Sequence, residues 1–571
     1  MHHFSSPCRG FKLTLLLLAF AAAGGTAFAR ERPLPPSFEK SAQLRPLAVL
    51  AREQAPPPDI EAILQREAAQ AGDPKSTAQQ FAAAQELTLD LATAASWEDF
   101  PGGGRLGRLR LASPGARSIN LTFSRFELQG DAAMWIYGLD GAQVHGPFRA
   151  ADAKEGRLWT PVVPGDEVVV EVLVPEGAAA RLELQAVNHG FRAFNVIPVK
   201  QSGCHVDAIC PEGNNYRNEI RSVGRYTLNG VLVCTGTLLN NTSLDRRPLF
   251  LSAEHCAIDA ENARSMVVYW NYQSPTCGAL SGGNLDDNQA GATLRARSDS
   301  SDFALVELDE EPNDDFDVYY AGWDATGAIP QKVVAIHHPQ LDEKALSFEN
   351  DPLVSEDIGN GGQTHWKVRD WDQGSTEGGS SGACIFDQTT RRCVGTLTGG
   401  FASCSNNFED YFGKFSRHWL GNGTAASRLS TWLDPGGSIS GNQPIQLDGL
   451  DPDTCVRNET TACLAGGRFE VRVRWNDGRG GTGYGKRKEI GSSSSVLFWF
   501  FSADNVELLI KVLDACGINQ RFWVYGAAST DVEYTLEIID REANDVAKSY
   551  FNALGVASPA ITDSQAFATC N

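Results

Sequence analysis

The sequence predicts a mainly β protein built from several separately cored units. Three observations lead there: short alternating apolar runs broken by Gly and Pro turns, a length of 571 residues, and an uneven placement of cysteine. A single hydrophobic core stops growing at about 250–300 residues, so this length implies three or four folded units. Hydrophobic residues make up 42% and charged residues 21%, which is a globular composition. The net charge of -21 argues against nucleic acid as a partner, because phosphate binding needs a basic face.

Taken in order, residues 1–29 read as a secretory signal: Arg9 and Lys12 precede the apolar run Leu13 to Ala23, and Ala27-Phe28-Ala29 ends it, with cleavage expected after Ala29. The run is shorter than the roughly 20 residues of a membrane-spanning helix, and no later segment is apolar for that length, so no membrane span is expected. Residues 47–95 are rich in Ala, Gln, Glu and Leu, which suits helices interrupted at Pro56-Pro57-Pro58. Between 100 and 198 the pattern becomes short alternating strands such as Ser118 to Phe123 and Glu167 to Val172, predicting a β-sandwich. Residues 201–440 are again strand-rich, at Val231 to Leu239, Ser265 to Trp270, Phe303 to Leu308 and Val333 to Ile336, and are long enough for two packed barrels. A Gly- and Asp-containing stretch from Gly436 to Asp451 leads to a last β-sandwich over 441–571, with strands at Phe469 to Trp475, Val496 to Phe501 and Val506 to Val512. Apart from Cys8, twelve cysteines remain, eight between Cys204 and Cys404 and four between Cys455 and Cys570, an even set that suits disulfides in an oxidising compartment.

Chemistry concentrates in the 201–440 unit. Hydrolysis by a serine needs a nucleophile on a sharp turn, a histidine to take its proton and a carboxylate to hold the histidine's tautomer. Gly378-Gly379-Ser380-Ser381-Gly382-Ala383 offers Ser381 among glycines, with the amides of Gly379 and Ser381 as oxyanion donors. Alone, such a turn is a common loop. Phe250-Leu-Ser-Ala-Glu-His255-Cys256 adds a histidine at the end of an apolar strand, beside a cysteine whose partner on the preceding strand is Cys234. Ser301-Asp302-Phe303 supplies an aspartate at the mouth of a buried strand, where a simple cap is the commoner role. His255, Asp302 and Ser381 occur in the order and approximate spacing of two-barrel serine proteases. The adjacent His337-His338 point to opposite strand faces and suit no metal ion, and neither metal nor cofactor is expected.

With these residues in place, 201 to about 434 resembles the bacterial lysyl endopeptidases, a branch of the chymotrypsin-like family. The matching segments include Cys210-Pro-Glu-Gly213, Cys234-Thr-Gly-Thr-Leu-Leu-Asn-Asn241, Val267-Val-Tyr-Trp-Asn-Tyr-Gln273, Ala335-Ile-His-His-Pro339 and Thr376-Glu377. The resemblance implies a chymotrypsin-like double β-barrel protease domain, flanked by an N-terminal prodomain with a β-sandwich and by the C-terminal sandwich. It implies the bridges Cys204–Cys404, Cys210–Cys277 and Cys234–Cys256, which leaves Cys384 to Cys393; Cys455, Cys463, Cys516 and Cys570 stay unassigned.

Cleavage after a basic residue needs a carboxylate at the base of the first substrate pocket, and Asp410 in Phe408-Glu-Asp-Tyr-Phe-Gly413 resembles the family's position. The lesser alternative is that Glu409 and Asp410 form a solvated acidic pair. Thr398 stands where the family has a histidine, and Ser355 to Asn360 lacks the family's pocket tryptophan, so basic-residue cleavage is better supported than strict lysine preference. Lys200 precedes Gln201 at the start of the protease domain, where self-processing would cut. The expectation is a secreted, extracellular, monomeric serine endopeptidase made as a precursor, acting on protein or peptide substrates and partnered by its own propeptide. Two readings compete: a protease of other specificity, and an inactive protease-fold binding protein or adhesin.

Overall fold

The computed structural model describes residues 33–70, 78–192, 204–279, 281–358, 362–439, 445–452, 455, 459–488, 490, 492, 494–543 and 546–570. Ala29 and Lys200, the two expected processing positions, lie outside them.

The N-terminal unit is a sandwich of two sheets. One runs in the order Arg52–Gln54, Arg105–Ala112, Glu167–Val174, Ala133–Gly138, Val144–Phe148, and the other Val163–Pro164, Ser118–Gln129, Ala179–Gly190, Ala82–Asp90. Their inner faces meet in one apolar cluster that includes Leu109, Leu121, Phe123, Phe126, Ile136 and Val170. Here the structure corrects the expectation of helices over 47–95. Among the described residues there, only Ile60–Gln70 and Leu91–Ala94 are α-helical, and Ala82–Asp90 is a strand paired along its length with Ala179–Gly190. The Ala- and Gln-rich composition favours helix locally, but burial alternates across Gln85, Glu86, Leu87 and Thr88, and packing on the sandwich decides the outcome.

The central unit holds two large sheets. In the first, Asn288–Ala290, Val267–Tyr269, Val223–Leu228, Leu232–Leu239, Leu249–Ser252, Phe303–Leu308 and Ala292–Ser298 are neighbours in that order. In the second the order is Val206–Asp207, Ala345–Glu349, Val333–His337, Cys384–Asp387, Cys393–Gly400, Asp410–Lys414, His365–Val368 and Val354–Glu356. A core running from Leu249, Leu251 and Leu305 of the first sheet to Val334, Ile336 and Phe386 of the second, with Phe415 of the helix Phe415–Leu420, welds them together.

Two connections cross the expected boundaries. Gln79–Gln80, N-terminal to the first unit's sandwich strand, adds antiparallel to Leu232–Leu239 of the central unit. At the other end the expected linker is not free: Gln446–Leu447 pairs with Trp323–Asp324, and Leu450 exchanges backbone hydrogen bonds with Tyr320. The C-terminal unit is a second two-sheet sandwich with its own core around Phe469, Val471, Phe498, Ile510, Val524 and Leu536. No helix among the described residues is long and apolar enough to cross a membrane.

Six disulfides join Cys204 to Cys404, Cys210 to Cys277, Cys234 to Cys256, Cys384 to Cys393, Cys455 to Cys463 and Cys516 to Cys570. The last two pairings were open in the sequence. None joins one unit to another.

Candidate active site

His255 and Asp302 come from the first central sheet and Ser381 from the second. Leu249–Ser252 ends just before the 3-10 turn Glu254–Cys256, so the strand's apolar residues anchor the turn and His255 stands at its rim. The Cys234–Cys256 bridge ties that turn to the neighbouring strand. Asp302 occupies the residue before Phe303–Leu308 with φ 59°, in the left-handed region that Asp tolerates better than most residues. Its Oδ1 accepts the His255 backbone N–H at 2.9 Å and its Oδ2 lies 2.8 Å from His255 Nδ1. Burial pushes the Asp302 carboxyl up, but the His255 charge, the hydrogen bonds from His255 and one from the Thr398 hydroxyl outweigh it, holding the group well below the usual carboxylate range. Asp302 is therefore ionised, and Nδ1 of His255 carries the proton. His255 Nε2 is buried with no hydrogen-bond partner among the described residues.

Ser381 is held from both sheets. Its carbonyl accepts the Thr235 N–H at 2.9 Å, while the Thr235 hydroxyl donates to the Gly379 carbonyl at 2.8 Å. Gly379 and Gly382 have φ 91° and 83°, and a Cβ on Gly382 would fall 2.1 Å from Ser252 Oγ, so the turn closes only with glycine there. Sequence reasoning missed the support beneath it. His337 sits fully buried with Nδ1 2.8 Å from Ser380 Oγ and Nε2 3.0 Å from Ser347 Oγ. Burial keeps its imidazole neutral, so it braces Ser380, the residue before Ser381, by hydrogen bonds alone. His338 faces elsewhere, stacked on Tyr272.

Asp410 lies at the start of Asp410–Lys414 and is fully buried, not a solvated pair with Glu409. Its Oδ2 accepts from Trp371 Nε1 at 2.8 Å and from Thr376 Oγ1 at 2.7 Å, while Oδ1 has no hydrogen-bond partner of normal geometry among the described residues. A Cβ on Gly400 would fall 2.3 Å from that Oδ1, so only glycine leaves space beside the carboxylate. Burial raises the Asp410 carboxyl to about 7 against the lowering effect of Trp371 and Thr376. Thr376 belongs to the segment that leads into the Ser381 turn, which couples the carboxylate to that turn. Trp371 was not legible as a pocket residue, because nothing local marks a tryptophan 39 positions away as its partner.

Cys204, His205 and Cys404 also gather, but both sulfurs are committed to a disulfide and offer no thiolate to a metal.

The N-terminal unit reaches this site. Gln79 pairs with Val233 and Gln80 with Leu232, one to two residues before Cys234, and Phe81 N–H donates to the Val231 carbonyl at 2.9 Å. The Gln79 carboxamide lies beside the nucleophile turn, its oxygen 3.0 Å from where a Gly379 Cβ would be. Phe81, Ala82 and Val162 share a buried cluster with Val233, Val267, Tyr269, Tyr272 and Leu341.

Comparison with known proteins gives two family matches. Residues 199–413 match the family described as lysyl endopeptidase, C-terminal domain, and residues 53–190 the one described as lysyl endopeptidase N-terminal domain. A curated lysyl endopeptidase of Pseudomonas aeruginosa is 30% identical over 371 residues, covering 57% of this chain and 76% of the relative. Among solved structures, a Glu endopeptidase matches at 17% identity with TM-score 0.26, over 38% of this chain and 93% of that one. An HtrA-type protease matches at 11% identity with TM-score 0.27, over 61% of this chain and 98% of that one.

Proposed function

Because this chain belongs to the lysyl endopeptidase family and is a serine endopeptidase, we propose that His255, Asp302 and Ser381 are its catalytic triad and that it cuts after basic residues, lysine foremost. The observation that carries the reading is the ionised, buried Asp302 bonded to both the backbone and Nδ1 of His255. That pairing directs the lone pair of Nε2 outward as a base. Ser381 Oγ gives its proton to Nε2 and attacks the scissile carbonyl. The amides of Gly379 and Ser381 then take the oxyanion, and His255 passes the proton to the leaving amine. Water, deprotonated by the same imidazole, releases the acyl-enzyme.

Asp410 supports basic-residue specificity. A buried carboxylate with one oxygen in no well-formed hydrogen bond, beside a glycine that leaves room, suits an ammonium or guanidinium better than a neutral side chain. Occupation by a cation would draw the carboxyl back to its ionised form. No cofactor enters these steps.

The N-terminal unit is proposed as a propeptide that closes the site from the leaving-group side. The Gln79–Gln80 strand uses the hydrogen-bonding edge of Leu232–Leu239 next to the nucleophile turn, and an extended substrate would need the same edge. A signal over 1–29, secretion to the extracellular space, and self-processing after Lys200 complete the proposal.

The test incubates purified precursor and its Ser381→Ala variant with peptides that differ only at the residue before the cut, reading products and new protein N-termini by mass spectrometry. Cleavage after Lys or Arg and a new terminus at Gln201, both absent from the variant, are expected. Cutting only after neutral residues would remove Asp410 from the pocket. A folded, processed chain that cuts nothing would favour a binding protein.

A further inference from the structure

We propose that the turn Pro339–Leu341 is the clamp that sets the oxyanion hole, with Gln340 as the positioning residue that fixes the Gly378–Gly379 peptide; this rests on the triad reading above. The Gln340 N–H donates to the Gly378 carbonyl at 2.6 Å. A trans peptide points its carbonyl and its N–H to opposite sides, so this bond turns the Gly379 N–H away from the 339–341 turn. The carbonyl of Gly379 accepts the Thr235 hydroxyl at 2.8 Å, and Thr235 Oγ1 accepts the His338 N–H at 3.2 Å. One short segment therefore holds two successive carbonyls, that of Gly378 directly and that of Gly379 through Thr235. Neither the Gly379 nor the Ser381 N–H has an acceptor among the described residues, which leaves both for a substrate oxyanion.

The peptide needs holding. Glycine at both 378 and 379 makes it easy to turn over, because neither residue has a side chain to oppose the rotation. Turned over, it would present the Gly378 carbonyl in place of the Gly379 N–H, and an acceptor would face the developing anion.

The clamp itself is strained. Gln340 has φ 47° and ψ 33°, and Leu341 has φ 69°, two consecutive residues other than glycine in the left-handed region. Such backbone persists only where its surroundings over-determine it. Three contacts do so here. The Asp342 N–H closes the turn on the Pro339 carbonyl at 2.7 Å. Arg225, fully buried with its guanidinium carbon 4.0 Å from the centre of the Tyr272 ring, donates to the Leu341 carbonyl. Gln340 Nε2 donates to Glu377 Oε2 at 2.7 Å, so its side chain and its N–H grip successive residues of the segment that leads to Ser381.

Gln340→Ala removes the carboxamide and keeps the cost of the left-handed backbone, so the turn relaxes and the peptide loses its fixed orientation. In the processed enzyme it is expected to lower kcat on a small lysyl peptide about tenfold with KM near the wild-type value, short of the roughly hundredfold or more that an oxyanion donor lost outright would cost. Gln340→Gly removes the same carboxamide but adopts the left-handed backbone freely, and should recover kcat to within about threefold of wild type. A side chain that only filled space would give the opposite order. Affinity for a peptidyl lysine aldehyde, whose adduct with Ser381 places an oxyanion in the hole, should fall in step with kcat/KM in Gln340→Ala.

An unmoved kcat in Gln340→Ala, a Gly variant no better than the Ala one, or aldehyde affinity that holds while kcat/KM falls would each overturn the inference. If Gln340→Ala does not fold, Gln340→Glu, which sets a second carboxylate against Glu377, is read by the same measures. His255→Ala and Ser381→Ala are run alongside. Cleavage surviving in either sinks the triad reading and the clamp with it, whereas both inactive beside an unmoved kcat in Gln340→Ala sinks the clamp alone.

Discussion

Asp410 carries a stability cost in the same side chain to which the proposed function gives substrate recognition. Burial raises its carboxyl to about 7 in the folded chain, against about 3.9 for an unfolded aspartate. A raised value means that its contribution to stability is full below about pH 4 and is lost as the pH climbs through 7. Asp410→Asn is therefore expected to melt near the wild type at pH 4 and several degrees above it at pH 8.5, measured by calorimetry. The same substitution should reduce kcat/KM on lysyl and arginyl peptides by about a hundredfold or more, since the substrate cation would meet no charge. Equal melting shifts at both pH values would mean that the carboxylate is not the strained group. Asp410 and the three triad candidates were legible in the sequence because each sits in a short, chemically distinctive segment. Trp371, His337 and Gln340 were not, since their partners Asp410, Ser380 and Gly378 are distant in sequence and only the second sheet brings them together.

At the scale of elements, the short strand Gln79–Gln80, paired on Leu232–Leu239, is the one on which the proposed closure of the cleft depends. It is anchored by Phe81, which is fully buried between the two units. Phe→Ala in such a place costs about 3–5 kcal/mol. In a full chain carrying Lys200→Gln to prevent processing there, Phe81→Ala should raise hydrolysis of a small lysyl peptide at least tenfold. Hydrogen exchange at Leu232 and Val233 should quicken in step. Unchanged exchange beside unchanged hydrolysis would show that the strand does not gate the site. The strand was hidden in the sequence by its composition: the Ala and Gln residues of 78–85 favour helix, and an edge waiting in another unit is invisible to any local pattern. Phe303–Leu308, by contrast, was read with its actual bounds, because an apolar run broken only by Glu307 and flanked by Asp302 and Asp309 permits little else.

For the whole molecule, length and cysteine placement led to an expectation of three or four units, and the border around 436–451 runs differently from it. Gly436 to Asp451 has the composition of a linker, yet the central unit claims its second half through backbone pairing at Gln446–Leu447 and Leu450, and through Arg221 on Asp451. A chain ending after Pro452 should therefore keep the melting temperature and peptide kcat/KM of the central unit. One ending after Ser440 should lose about 3 kcal/mol or more, the worth of burying Leu447 and Leu450; equal melting of the two truncations would refute that assignment. The disulfide map has a further consequence. Because no bridge joins the first unit to the second, the tether that keeps the Gln79–Gln80 strand on its edge is the polypeptide alone. While intact, it presents the strand at an effective concentration of order millimolar. On the proposed propeptide role, a cut between the units would lower that concentration to that of the protein in its surroundings, and dilution itself would become the signal that opens the cleft.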